Sequence, residues 1–177
     1  MMKLFLIFSI FSIFNNNSYK YMDNYINITV DHFESEYLRH NYYKDESVEE
    51  IAKKLNKQLN STLKDKGMFI AKYSLSKNVD PYLVTAVILQ ETGCKWTCSS
   101  LVRKCNNVGG NKGKPSCNSG SYRKFDTIEE GIKFAINVLS KYYNNGKTTP
   151  ELIGPKYASD PKWASRVNNY IKKLKNS

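Results

Sequence analysis

The sequence predicts a mainly α fold, α+β in class: a helical domain carrying a small loop or β-hairpin lobe. Three observations predict it. Apolar residues recur at three- and four-residue steps in several separate stretches after residue 46, the spacing of one helix face. One stretch, Asp80–Gly93 (DPYLVTAVILQETG), is apolar nearly all round and reads as a helix inside the domain rather than on it. Between the helical stretches, residues 93–125 drop the periodicity and hold five glycines and all four cysteines.

In chain order, Lys3 precedes Leu4–Phe14 (LFLIFSIFSIF), the charged start and short apolar run of a secretory signal. The run is shorter than the roughly 20 apolar residues a membrane-spanning helix needs. Asn15–Asn17 follow in place of a small-residue cleavage site. Residues 1–16 are therefore expected to be a signal peptide or an N-terminal membrane tether. Residues 17–46, rich in Asn, Tyr and acids, read as a spacer with one short helix around His32–Arg39. His32 and His40 lie eight apart without a supporting ligand pattern, so no metal and no cofactor is expected.

The domain is expected over 47–177. Ser47–Lys64 reads as an amphipathic helix, with Ser47 and Glu50 as a capping box and Val48, Ile51, Leu55 and Leu59 on its apolar face. Gly67 breaks that pattern, and Met68–Ser76 reads as a second, shorter helix. In the central helix, Asp80 is placed to accept from the first free N–H groups and Pro81 fits the first helical position. Gly93 can take the left-handed conformation that ends the helix. Glu91 falls in the last turn. A carboxylate partly desolvated there, facing the negative helix end, is expected to hold its proton more tightly and to serve as a general acid. The plain alternative is that Glu91 is the first exposed residue after a buried helix.

Beyond Gly93, Leu101–Cys105 fits a short helical turn and the stretch Tyr122–Phe125 a small hairpin. Thr127–Asn144 reads as an amphipathic helix capped by Thr127 and Glu130, Pro150–Ile153 as a short turn of helix, and Asp160-Pro161 as the start of the last helix. Cys94, Cys98, Cys105 and Cys117 have spacings unlike a zinc site and read as two disulfides in an exported chain, with three pairings open.

Charge narrows the partner. The chain carries a formal +11, unevenly: residues 51–177 hold 23 Lys and Arg against eight acids, a net of +15. Residues 93–125 contain seven bases and no Asp or Glu. Such a domain expects a polyanion: nucleic acid, anionic membrane or anionic cell-wall polymer. No basic helix shows base-reading spacing, so no specific nucleic acid is expected. A helix-end acid beside a basic lobe and late aromatics suits glycoside cleavage, the acid protonating the glycosidic oxygen while rings stack on sugar faces. Asp126, Glu129 and Glu130 are the acids nearest in sequence for a second carboxylate, though helix capping already accounts for the last two. A substrate-assisted route, in which a 2-acetamido group replaces that carboxylate, needs Glu91 alone.

Four landmarks then carry a resemblance, in order: VDPYLVTAVILQETG (Val79–Gly93), NNVGGNKG (Asn106–Gly113), YRKFDTIEEGI (Tyr122–Ile132) and YASDPKWASRV (Tyr157–Val167). Together, over about 120 residues, the segment from Leu55 to Leu174 resembles the bacterial glucosaminidase family of peptidoglycan hydrolases (the mannosyl-glycoprotein endo-β-N-acetylglucosaminidase-like domain). The resemblance implies a lysozyme-like fold, cleavage of peptidoglycan glycan strands, and Glu91 as catalytic acid; nothing in the sequence demands more than a monomer. It further implies Tyr157 at the cleft as a second catalytic group, and Asn107, Gly109, Tyr122 and Trp163 as substrate-binding residues. Two departures stand out. Val108-Gly109-Gly110 replaces the family's usual Leu-Phe-Gly, removing one aromatic, and residues 92–125 hold no acid. The lytic transglycosylases and muramidases share this fold, and the former work with one Glu. They are the runner-up reading, and a non-catalytic wall-binding module is the non-enzymatic one.

Overall fold

A computed structural model describes residues 41–177 together with Thr29, His32 and Glu34–Glu36. The expected signal or tether at 1–16, His40 and most of the spacer lie outside the described residues. Chain contacts separate Met1–Leu38 from a compact unit, Arg39–Ser177, and the fold below is that of the second.

Among the described residues this unit is mainly helical, with one two-stranded sheet, in a lysozyme-like arrangement. Strand β1 (Tyr42–Tyr43) pairs antiparallel with β2 (Glu46–Ser47), Tyr42 opposite Ser47. The helices follow: α1 (Val48–Asn56), α2 (Gly67–Ser76), α3 (Pro81–Thr92), α4 (Ser100–Cys105), α5 (Ile128–Tyr143), α6 (Pro150–Tyr157) and α7 (Trp163–Lys175). A 3-10 turn at Ser61–Leu63 joins α1 to α2.

Helix α3 forms as its residues dictate. Asp80 accepts from the N–H groups of Tyr82 and Leu83, Pro81 takes the first position, and Gly93 closes the helix with φ of +64°. Every residue from Pro81 to Leu89 is buried, so α3 is surrounded. The wrapping helices are amphipathic: α1 buries Val48, Ile51 and Leu55, α5 buries Ile132, Ile136 and Leu139, and α7 buries Trp163, Val167 and Leu174. Burying that many large apolar side chains, each contributing about 1.5–3 kcal/mol, holds these helices around α3.

The structure departs from the sequence reading at four places. The first helix stops at Asn56 instead of Lys64, because Asn56 turns its side-chain oxygen to the Gly67 N–H at 2.7 Å and starts α2 one residue early. The two-stranded sheet, at 42–47, begins in the stretch read as spacer and ends on Ser47, the first residue expected of the domain. Glu46 fastens it to the domain by accepting from Tyr82 Oη at 2.8 Å and pairing with Lys54. The lobe at 111–123 holds only two isolated bridges, Lys112–Tyr122 and Ser116–Arg123, in place of a regular hairpin. Helix α6 runs on to Tyr157, which places that ring, where only a turn to Ile153 was expected.

The cysteines pair locally, Cys94 with Cys98 and Cys105 with Cys117. The first closes a five-residue loop directly after α3; the second ties the end of α4 to the lobe. The lobe is also packed on α5 through Gly131, where an added Cβ would lie 1.8 Å from the Asn106 carbonyl oxygen. That close approach lets Asn106 Nδ2 donate to the carbonyls of Phe125 and Asp126 at 3.0 and 3.1 Å.

Two outcomes follow from this packing. Gly131→Ala forces the lobe off α5 and is expected to lower stability by about 1–3 kcal/mol, read as a lower urea midpoint. Tyr43, Tyr82 and Tyr143 hold their protons more tightly than free phenols. Burial is the first cause in each. Asp80 comes next for Tyr43 and for Tyr143, which is pushed up to about 12, and the hydrogen bond to Glu46 for Tyr82. In the unfolded chain these phenols ionise near pH 10, so their stabilising contribution is complete below about pH 10 and is lost as pH rises through the folded values. Urea midpoints in a pH series are expected to fall from about pH 10 upward.

Candidate active site

The free end of α3 opens into a cleft of about 720 Å³. Gln90 and Glu91 line it from α3, Gly109 to Lys112 from the loop after α4, and Tyr122 from the lobe. The opposite wall comes from Tyr142 of α5, Tyr157 of α6, the turn Ala158–Asp160, and Trp163 and Arg166 of α7.

Glu91 is exposed in this cleft, so the partial desolvation expected for it is not found. What fixes it is a directed bond: Trp163 Nε1 donates to Glu91 Oε1 at 3.1 Å. Trp163 itself is only 3% exposed. A buried indole N–H requires an acceptor, so one carboxylate oxygen is oriented while the other faces the cleft. Tyr157 packs on Trp163 with ring centroids 4.9 Å apart and meets the edge of Tyr142 at 6.1 Å. Burial raises the Tyr157 phenol well above its ordinary range, with the charge of Glu91 adding and Tyr142 after it. Burial therefore favours the neutral hydroxyl over the phenolate.

Of the residues named from the sequence, the structure brings Glu91, Gly109, Tyr122, Tyr157 and Trp163 together around one cleft. Asn107 does not line it. Its side chain is 1% exposed and clamps the loop from behind. Nδ2 donates to the carbonyls of Asn111 and Arg123 at 2.8 and 2.7 Å, and Oδ1 accepts from the Asn111 N–H at 2.9 Å. An amide with three partners inside the protein shapes the site without facing substrate.

The acids suggested as a second carboxylate lie elsewhere. Glu129 pairs with Lys66 at 2.5 Å, and Glu130 accepts from the Asp126 N–H at 3.1 Å. None of Asp126, Glu129 and Glu130 lines the cleft. Asp160 does, and sequence reasoning passed over it although it stands in the YASDP landmark. It pairs with Arg166 and also accepts from the Lys162 N–H, and these two bonds, Arg166 first, hold its carboxyl below the usual carboxylate range.

Two cleft residues carry donors with no partner among the described residues, Asn111 Nδ2 and Arg166 Nε. Both nitrogens are buried. Asn111 occupies the room that Gly109 leaves: a Cβ on Gly109 would fall 2.7 Å from Asn111 Nδ2. The aromatic missing from this loop is thus replaced by a polar group. The sequence signal was present in the pairing of Gly109 with Asn111 two residues on, but only the fold shows that they share one space.

A profile described as mannosyl-glycoprotein endo-beta-N-acetylglucosaminidase matches residues 67–176. The chain belongs to the glucosaminidase family. That family is one of glycosidases, and its substrate is a glycan of the peptidoglycan kind. A search of curated proteins returned no match. The matched segment takes in α2 to α7 and hence every wall of the cleft.

Because Asn107 holds the loop through three buried hydrogen bonds, Asn107→Ala is expected to cost about 2–3 kcal/mol. It should also speed amide hydrogen exchange across 107–123 while leaving exchange in α1 and α2 unchanged.

Proposed function

We propose that the chain is an exported peptidoglycan hydrolase that cuts the glycan strand as an endo-β-N-acetylglucosaminidase, with Glu91 as general acid. The observation that carries this reading is the Trp163–Glu91 bond, which aims a carboxyl into a sugar-sized cleft walled by aromatic rings. In this reading Glu91 delivers its proton to the glycosidic oxygen as the bond breaks. Tyr157, a neutral phenol in the same cleft, offers its hydroxyl oxygen to the positive, oxocarbenium-like charge that develops on the sugar. Tyr122, 43% exposed at the cleft edge, offers a face for a sugar ring.

Export is the compartment that two disulfides, a signal-like start and a net +15 on residues 51–177 support together. The basic surface holds the enzyme on anionic wall polymer, a hold that weakens with salt. It acts as a monomer. No helix among the described residues is long and apolar enough to cross a membrane.

One observation favours a second route on the same fold. Asp160, the cleft's other carboxylate, is engaged by Arg166 and by a backbone N–H. A free second carboxyl is not on offer, which suits attack by the substrate's own 2-acetamido group or, as in the lytic transglycosylases, by an internal sugar hydroxyl.

The deciding experiment digests purified peptidoglycan with the full, oxidised chain beside Glu91→Gln and reads the fragments by mass spectrometry. New reducing-end N-acetylglucosamine is expected, with the rate reduced about 10²–10⁴-fold in the variant. Since Glu91 is exposed, the thermal midpoint of the variant should stay close to that of the parent. Reducing-end N-acetylmuramic acid would identify a muramidase, and anhydro ends a transglycosylase. Wall binding without fragments from either form would leave a binding module.

A further inference from the structure

Beside the cleft lies a second recess, of about 550 Å³, which shares Val138 and Tyr142 with it. The rest of its lining is Lys141, Asn145, Lys147 and Lys156, so it contains three cations and no acid. No carboxylate among the described residues pairs with any of the three. Lys141 and Lys156 stand in the last turns of α5 and α6, where the helix ends attract cations and account for their presence. The helix ends do not account for Lys147. It is brought back over the recess by the turn at Gly146, whose φ is +71°, and by a bond from its N–H to the Tyr142 carbonyl at 2.9 Å. Asn145 Nδ2 donates to the Lys141 carbonyl at 2.7 Å, and Tyr142 Oη reaches the Lys156 carbonyl at 3.5 Å. The backbone of the recess is thus built, and its three ammonium groups stay free to meet a ligand.

We infer that this recess is a subsite for an anionic substituent of the glycan lying in the cleft, chiefly a carboxylate on the peptide side chains that the wall polymer carries. The inference rests on the reading of the cleft as a peptidoglycan-cutting site. Tyr142 is the divider: one edge faces Tyr157 and the catalytic end, and the hydroxyl faces the lysines. Because the recess and the cleft share Val138 and Tyr142, a strand seated along the cleft would hold a substituent beside the recess, where two exposed cations and the partly buried Lys147 favour a charged group over a neutral one without reading its sequence.

The test uses the full chain, the Lys141→Gln/Lys147→Gln/Lys156→Gln variant, and a control that removes the same charge elsewhere, Lys53→Gln/Lys57→Gln/Lys172→Gln. Each acts on three walls: native, stripped of phosphodiester polymer, and stripped with its carboxylates amidated by carbodiimide. The parent and the control are expected to favour the stripped wall over the amidated one by roughly tenfold in kcat/KM, through KM, the size expected of three exposed ion pairs together. The recess variant should treat the two alike. If it keeps the parental preference, the inference fails. If the preference tracks phosphodiester instead of carboxylate, the ligand is the wall polymer's phosphate and the carboxylate assignment is overturned. Binding of the same walls by each protein in a Glu91→Gln background gives a readout independent of cutting. A parent that binds with this preference but releases no fragments would sink the proposed catalysis and uphold the subsite.

Discussion

Everything in this domain depends on α3 being buried along its whole length except at one end. A helix that is apolar all round has no solvent face to offer, so the other helices must close on it from several sides. The only place where it can present chemistry is its C-terminal turn. Gly93 ends the helix within two residues of Glu91, and the left-handed turn there prevents the apolar rod from continuing past the acid. The position of Glu91 is thus a consequence of where burial stops. Its orientation is a separate matter, settled by a residue 72 positions away through the indole of Trp163.

That division explains why the aromatic wall of the cleft comes so late in the chain. Helices α6 and α7 are joined by the short turn Ala158–Lys162, in which Asp160 accepts from Lys162 and pairs with Arg166. The turn fixes the angle between Tyr157, the last residue of α6, and Trp163, the first of α7. Asp160 thereby works as a brace for the aromatic wall. A carboxylate already accepting from a guanidinium and an amide has little left to give a reacting water. The lobe supplies the opposite wall by other means, since Asn107, two disulfides and the close contact at Gly131 hold a chain with almost no regular structure.

The sequence made α3 legible because each of its signals acts within a few residues: the cap at Asp80, Pro81, the apolar run and Gly93. The caps of α1 and α5 were legible for the same reason. What it left unread depends on contacts far apart in the chain. The early stop of α1 needs Gly67 to receive the Asn56 side chain, and the attachment of β2 needs Tyr82 to meet Glu46. Periodicity carries neither. The site shows the same split. Pattern and resemblance name Glu91, Tyr157, Trp163, Tyr122 and Gly109, and the fold gathers these five around one cleft. Asn107 was placed in the cleft because its motif lies there, whereas its amide turns inward. Asn111, Asp160 and Arg166 stand inside the landmark motifs, but their place in the cleft depends on contacts across the fold that no local spacing carries.

The thinned loop has a chemical consequence. In a cleft that grips sugars by stacking, replacing an aromatic with Gly109 gives up contact area. Here the space is taken by Asn111, whose Nδ2 has no partner within the described residues, and across the cleft Arg166 Nε is in the same state. Buried donors left unpaired cost about 1–3 kcal/mol each. The loop has therefore exchanged the contact area of an aromatic ring for a buried amide packed against Gly109, so this wall of the cleft keeps its shape through backbone and amide packing where a stacked ring would otherwise fill it.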